Sequence, residues 1–176
     1  MVVDMQGYSI VGPSTAPASY GIQSYGSNVE IRNGTVRNFY FGIFAGSDSE
    51  ANRKYGNRII SMRAIGNYYG IFTIGLGYTS HGAIIKDCIA ADNIQDGIVA
   101  SDGASVIRNT AYRNRYIGIS AFFGCNVRDN VAYNNAWGIA VGESDLIDGN
   151  TAYGNTVRNM DTAGCTTCTF GVNHAP

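Results

Sequence analysis

Apolar residues recur along this chain about every 20 residues, and this spacing predicts short stacked strands. A glycine followed by isoleucine begins at positions 21, 42, 70, 97, 118 and 138, so consecutive steps are 21, 28, 27, 21 and 20 residues apart. Side chains alternate between the two sides of an extended strand, so these isoleucines share one side with smaller residues two places on. We expect that side to be the core, containing Ile22, Ile43, Ile71, Ile98, Ile119 and Ile139.

A second repeated phrase places pairs of asparagines between the glycine steps. It reads Val106-Ile-Arg-Asn-Thr-Ala-Tyr-Arg-Asn114, then Val127-Arg-Asp-Asn-Val-Ala-Tyr-Asn-Asn135, then Ile147-Asp-Gly-Asn-Thr-Ala-Tyr-Gly-Asn155. Stacked asparagines exchange amide hydrogen bonds where the backbone turns sharply, so the pairs predict asparagine ladders. Traced backwards, the pairs align with Asn33/Asn38, Ser61/Gly66 and Asp87/Asp92. The tyrosine in each phrase is predicted to stack on its neighbours.

The length of the repeat selects the fold class. A period of about 20–21 residues is too short for two helices or a propeller blade, and leucine-rich repeats need more than Leu76 and Leu146. Three short strands per coil, each pairing with its counterpart about 4.8 Å away, predict an all-β parallel β-helix, a solenoid of about seven coils. The chain reads as one domain over 1–176: a partial first coil (1–20), repeat coils (21–158) with insertions at 47–56 and 75–82, and a last coil and tail (159–176).

Two passages resemble a known family. They are Val3-Asp-Met-Gln-Gly-Tyr-Ser-Ile-Val-Gly-Pro13 and Val29-Glu-Ile-Arg-Asn-Gly-Thr-Val-Arg-Asn38, which runs into Gly42 and Ile43. Both passages are similar to right-handed parallel β-helix repeat proteins of the pectate-lyase-like superfamily. The resemblance implies a right-handed helix, a link to carbohydrate, and an extracellular or cell-surface location. Its members include polysaccharide lyases, glycoside hydrolases, epimerases, accessory proteins and tail spikes, so the fold leaves the activity open.

Catalytic motifs of that superfamily are not visible in the chain. It lacks the Asp-Pro-His-Asp motif of the epimerases and an aspartate cluster with Arg and Lys like the calcium site of pectate lyases. We therefore expect a carbohydrate-associated protein that binds polysaccharide or serves as a non-catalytic scaffold. The alternatives are a polysaccharide lyase, glycoside hydrolase or epimerase that uses inserted loops, and a structural or assembly module of a larger β-helix or oligomer.

Composition removes several other classes of function. The formal net charge is −1, with 12 basic and 13 acidic residues, so no broad positive field favours nucleic acid. Apolar runs are shorter than a membrane span needs, and no signal peptide is visible at the N-terminus. The Cys165 and Cys168 spacing lacks a second pair that would complete a zinc site. We expect no metal and no cofactor.

The two insertions are the first candidate site. Both follow the first strand of consecutive coils, so they are expected to project side by side, and such loops are where binding groups concentrate. Arg53 and Lys54 are suited to neutralising a sugar carboxylate, and His81 or Tyr78 to moving a proton. If the protein is an enzyme, the catalytic candidates are His81, Tyr78 and Arg53. The predicted ligand-binding set is Asp48, Glu50, Arg53, Lys54, Tyr55, Tyr78 and His81.

The outward side of the first strand is the second candidate, because it is unusually apolar. Aromatic side chains stacked along a β-helix suit sugar rings, but an apolar stripe on a solvent face more often marks a subunit interface. We therefore predict an interface, formed by Phe44, Phe72, Ile74, Val99 and Phe122. An uncapped first coil also exposes strand edges, so the protein is expected to be a homo-oligomer or to have a partner chain over its N-terminal coil.

Overall fold

The computed structural model describes residues 1–47, 53–75 and 80–176. Within these ranges the regular structure is all β, without a helix. The strands in chain order are β1 (Val2–Asp4), β2 (Ser9–Val11), β3 (Tyr20–Ser24), β4 (Glu30–Arg37), β5 (Phe41–Ala45), β6 (Lys54–Tyr55), β7 (Arg58–Ile65), β8 (Tyr69–Phe72), β9 (Ser80–His81), β10 (Ile84–Lys86), β11 (Ile89–Ala91), β12 (Ile98–Ala100), β13 (Ser105–Ile107), β14 (Thr110–Tyr112), β15 (Ile117–Ala121), β16 (Asn126–Arg128), β17 (Val131–Tyr133), β18 (Trp137–Ala140), β19 (Leu146–Asp148), β20 (Thr151–Tyr153), β21 (Arg158–Asp161) and β22 (Thr169–Phe170).

The strands stack coil upon coil as a parallel β-helix. One sheet runs in the order β21-β18-β15-β12-β8-β5-β3, and we call it the first-strand sheet because each strand in it carries a Gly-Ile step or its equivalent. A larger sheet holds the second and third strands of each coil, and β6 pairs with β9 in a small separate sheet. All of these pairings are parallel, as between β12 and β15 or β14 and β17. No helix long and apolar enough to cross a membrane occurs in the described parts of the chain.

Aliphatic side chains of equivalent strands fill the interior in rows. Ile43, Ile71 and Ile98 of the first-strand sheet are fully buried, as the glycine-isoleucine pattern predicts, and Ile119 and Ile139 continue their row. A facing row from the larger sheet is also fully buried and consists of Ile31, Ile59, Ile85, Val106, Val127 and Ile147. Because parallel strands pair in register, each β-branched side chain packs on one of its own kind in the next coil.

Two rows of asparagine side chains line the corners on either side of the third strands. Asn109 Nδ2 donates to Asn130 Oδ1 (3.0 Å), and Asn130 Nδ2 donates to Asn150 Oδ1 (3.0 Å) and to the Val106 carbonyl (2.8 Å). A second row is linked in the same way and contains Asn67, Asn93, Asn114, Asn135, Asn155 and Asn159. These amides satisfy backbone groups that the turning chain leaves without strand partners.

The backward trace of the asparagine pairs is wrong by one residue in the earlier coils. The strand register aligns Asp87 with Arg108 and Asp92 with Arg113, so the coil that precedes Asn109 and Asn114 contributes Cys88 and Asn93 to the rows. Asp87 and Asp92 instead occupy the left-handed corner position, each with φ 56°, and accept bonds from Arg108 and Arg113. The sequence alone does not separate the corner position from the asparagine-row position next to it, because Asn and Asp both tolerate the left-handed conformation of the corner.

The asparagine rows explain why glycine precedes each buried isoleucine. A Cβ on Gly118 would lie 2.7 Å from Asn135 Nδ2 and 2.7 Å from the Gly138 carbonyl oxygen. Gly97 and Gly138 meet Asn114 and Asn155 in the same way. The glycine is therefore needed for close approach of the neighbouring amide, not for an unusual backbone conformation.

The chain end is fastened to the last coils by several polar contacts. The backbone turns after Thr162, which brings Cys165 and Cys168 to a Cα separation of 5.7 Å in a disulfide. Glu143 accepts hydrogen bonds from the backbone N–H groups and hydroxyls of Thr166 and Thr167.

Buried Cys88 and Cys125 remain free thiols, and burial raises the pKa of Cys125 to about 11, which makes these thiols poor nucleophiles.

Replacing Asn130 by alanine is expected to lower the free energy of unfolding by about 3 kcal/mol, because buried donors and acceptors of Asn109, Asn150 and Val106 lose their partner. Urea unfolding followed by circular dichroism measures the change. Arg128→Ala in the same coil is the control, since its side chain is 45% exposed and its ion pair with Asp148 is on the surface; a loss below about 1 kcal/mol is expected there. Equal losses would contradict the structural role of the asparagine row.

Replacing Gly118 by alanine is expected to destabilise the protein by about 1–3 kcal/mol, because the new methyl group overlaps Asn135. Gly164→Ala is the matched control: its Cβ would meet nothing closer than the Val141 carbonyl oxygen at 3.7 Å, an ordinary contact. Thermal unfolding of both variants measures the difference. A Gly118→Ala protein as stable as Gly164→Ala would show that the amide does not need the space.

Candidate functional site

A cleft of about 740 Å³ lies on the outer side of the first-strand sheet. Its wall is mainly aromatic and aliphatic, with a few polar groups, which is the make-up of small-molecule sites in proteins. We call it the aromatic cleft. Its lining consists of Tyr20, Tyr25, Phe41, Phe44, Ser47, Tyr69, Phe72, Ile74, Gly75, Asp96, Val99, Ile117, Ser120 and Phe122.

Rings from successive coils form the floor of the aromatic cleft. Tyr20, Phe41 and Tyr69 are in register, with centroids 5.3 Å and 5.2 Å apart and nearly parallel planes. Phe44 and Phe72 form a second row, stacked at 6.0 Å, and Phe41 meets both of them edge-on. The in-register strands bring the rings into contact with one another, so each ring restricts the rotation of its neighbours. The result is a rigid aromatic surface.

Asp96 takes the place of a ring in the next coil. The pairing of Ile71 with Ile98 puts Asp96 beside Tyr69 in the same column. Its Oδ1 accepts a hydrogen bond from the Ile117 N–H at 3.0 Å, while Oδ2 has no hydrogen-bond partner among the described residues. Burial raises the pKa of the Asp96 carboxyl above its ordinary value, and the Ile117 N–H opposes that rise. Burial likewise raises the pKa of Tyr69, with Tyr40 and Asp96 as further causes.

A second, smaller cleft of about 380 Å³ lies where the chain enters the first-strand sheet. Tyr68 stacks on Tyr40 at 4.6 Å and meets Tyr69 edge-on, so the ring surface of the aromatic cleft continues to this side. Gln95 Nε2 donates to the Tyr68 hydroxyl at 3.3 Å. Arg115 and Tyr116 complete the lining with Ile94.

The inserted loops pair with each other where the structure describes them. Ser47 and Gly75, the first residue of each insertion, line the aromatic cleft, but the described candidates farther along the loops do not. β6 and β9 pair, so Lys54 lies beside Ser80 and Tyr55 beside His81, whose rings stack at 5.8 Å. The described lining of the aromatic cleft includes none of Arg53, Lys54, Tyr55 or His81. The predicted residues Asp48, Glu50 and Tyr78 lie outside the described residues.

The five predicted interface residues all line the aromatic cleft. Phe44, Ile74 and Val99 are 9%, 7% and 4% exposed in the single chain, and Phe72 and Phe122 are half-buried. They therefore belong to a concave surface, and their role as a subunit interface stays a prediction. The partner chain over the N-terminal coil also stays a prediction; Val2, Tyr8 and Val11 of that coil are exposed in the single chain.

Sequence reasoning missed the column that precedes each glycine. Tyr20, Phe41, Tyr69 and Asp96 all stand directly before a Gly-Ile step, so the repeat itself carried the signal. Strict alternation predicts the outward positions that follow the isoleucine, but it places the residue before the glycine on the inner side. The backbone bends where it enters the strand, so the glycine faces the asparagine of the neighbouring coil. The side chain before the glycine therefore lies on the outer surface.

The other acidic and sulfur groups that the structure describes do not assemble a metal site. Among residues 1–47, 53–75 and 80–176, no group of three or more His, Cys, Asp or Glu side chains is arranged to hold an ion. Asp87 and Asp92 are occupied by Arg108 and Arg113 at 2.9 Å and 2.7 Å. The described lining of the aromatic cleft thus offers ring stacking, hydrogen bonding and the carboxylate of Asp96.

Comparison with known proteins identifies the fold. No family model and no curated protein matches the sequence. The structure is similar to the A-module of the Azotobacter vinelandii mannuronan C-5 epimerase AlgE6, with a TM-score of 0.63 and 20% identity over 90% of this chain and 53% of that one. It is also similar to the AlgE4 A-module, with a TM-score of 0.62 and 19% identity over 98% of this chain and 57% of that one. The chain therefore spans little more than half the length of these modules, and its fold is the right-handed parallel β-helix that they share.

Proposed function

We propose that this protein binds polysaccharide in the aromatic cleft. The observation that carries the proposal is the rigid row of Tyr20, Phe41 and Tyr69 at the bottom of a cleft large enough for sugar rings. A sugar ring has an apolar C–H face that packs on an aromatic ring, and its hydroxyls require hydrogen-bond partners when they leave water. Asp96 and Ser120 supply polar groups within the same lining.

The direction of the cleft suits a polymer. Its lining residues come from consecutive coils, from Tyr20 in β3 to Ser120 in β15, so a chain lying in it crosses the strands along the helix axis. Successive coils are about 4.8 Å apart, which offers each sugar unit a similar contact surface. The two structural neighbours named above are mannuronan C-5 epimerase modules, and this supports a polysaccharide as the ligand here.

A subunit interface is the competing use of the same surface. Stable interfaces bury roughly 800 Å² on each partner, whereas Phe44, Ile74 and Val99 are already mostly covered within one chain. The concave shape and this small remaining area favour a ligand. A homo-oligomer formed through another surface is compatible with the proposal.

Tyr69→Ala is expected to weaken polysaccharide binding at least tenfold, because it removes the ring of the floor that lies next to Asp96. A glycan array identifies binding oligosaccharides, and isothermal titration with one of them measures the change. A loss of this size corresponds to about 1.4 kcal/mol or more, within the range of one aromatic contact.

Tyr133→Ala is the matched control. Tyr133 is also half-buried and stacks between Tyr112 and Tyr153 at 5.1 Å and 5.2 Å, but on the larger sheet away from the cleft. Its affinity should equal that of the wild type. The proposal fails if no oligosaccharide binds, or if both variants bind equally; sedimentation that shows Tyr69→Ala dissociating an oligomer would instead establish the interface.

A further inference from the structure

The electrostatics of the aromatic cleft point to the kind of sugar it accepts. Asp96 is the single charged side chain in the described lining, which contains no Lys, Arg or His. Among the described residues it takes part in no ion pair, although eight other such contacts occur elsewhere. A partly buried carboxylate without a cation is energetically costly, and it favours a ligand that brings the positive charge.

The aromatic rings favour the same charge. Tyr69 lies next to Asp96 in the column. The ring centroid of Phe41 is 5.2 Å from that of Tyr69 and 5.2 Å from that of Phe72. The face of an aromatic ring carries partial negative charge and attracts an ammonium group within about 6 Å, more strongly where water is excluded. Rings and carboxylate together form the combination that proteins use to bind organic ammonium groups. An anionic sugar would meet repulsion from both.

We infer that the aromatic cleft selects a polysaccharide of amino sugars whose nitrogens are unacetylated, with one ammonium group bound by Asp96 Oδ2 beside the Tyr69 ring. This inference rests on the proposed function and specifies its ligand. The ammonium donates a charge-assisted hydrogen bond to the free oxygen, while Oδ1 stays fixed by the Ile117 N–H. Asp96 thereby becomes the specificity-determining residue, and the rings supply the stacking surface.

The carboxylate also makes recognition dependent on pH. Burial raises the pKa of Asp96 above that of an ordinary aspartate, so on acidification Asp96 takes up its proton and loses its negative charge at a higher pH than an ordinary aspartate would. The other titratable groups around it are the phenols of Tyr69, Tyr20 and Tyr25 in the lining and of Tyr40 and Tyr68 behind it. Affinity for an ammonium ligand should therefore fall on acidification.

The test compares three oligosaccharides of equal length by isothermal titration at pH 6: a glucosamine hexamer, its fully N-acetylated form and a mannuronate hexamer. We expect the glucosamine hexamer to bind at least tenfold more tightly than the acetylated one, and the mannuronate hexamer to bind most weakly. Asp96→Asn, which keeps an acceptor for the Ile117 N–H, should abolish the preference for the glucosamine hexamer over the acetylated one. Asp87→Asn on the larger sheet removes the same charge and is the control, because Asn tolerates its φ of 56°.

A second measurement does not depend on any variant. Wild-type affinity for the glucosamine hexamer should drop severalfold from pH 6 to pH 4, and affinity for the acetylated hexamer should stay constant. Equal affinity for the three hexamers, a tighter mannuronate complex, or an Asp96→Asn protein that keeps the preference would overturn the inference and leave polysaccharide binding in place. Absence of binding by every hexamer and by the glycan array would overturn both proposals.

Discussion

The contact between an asparagine amide and the glycine of the preceding coil is the constraint on which this structure depends. The Nδ2 atoms of Asn114 and Asn135 occupy the space that a Cβ of Gly97 or Gly118 would take. Each amide also bonds the asparagine of the following coil, so a shift by one residue would both break these bonds and drive a side chain into the amide. Hydrogen bonding and steric exclusion thus fix the same register, and the buried isoleucines follow from it.

A fixed register determines what the surface can carry. Residues at equivalent places in successive coils are about one strand spacing apart, so like side chains stack. On the larger sheet this gives the column of Tyr112, Tyr133 and Tyr153, which the sequence predicts and the structure confirms. On the first-strand sheet it gives the rings of the aromatic cleft. The introduction of Asp96 into that second column is what changes a packing surface into a candidate site.

The sequence predicts the interior of this fold better than its outside. Side chains such as Ile43 and Asn130 must fit a repeated environment, so their period alone identifies the parallel β-helix. The corner residues were misassigned because Asp87 and Asp92 have the same left-handed φ as Asn33 and Asn134, and one sequence does not reveal which neighbour an Asn or Asp bonds. The cleft was only half predicted, since its second ring column depends on how the chain enters the strand before Gly42 and Gly70.

The division between inner and outer columns also explains why a ligand site can arise on this scaffold at little cost to stability. Exchange of an isoleucine for a carboxylate in an inner row would bury a charge among fully buried aliphatic side chains such as Ile71 and Ile98. In the outer column Asp96 lines the cleft, accepts one hydrogen bond from the next coil through Oδ1, and has a second oxygen without a hydrogen-bond partner among the described residues. The backbone geometry of the repeat is unchanged by the exchange, because Gly97 and Ile98 still make the same contacts as Gly70 and Ile71. New chemistry therefore requires a change at one outward position, while the asparagine rows hold the coils in place.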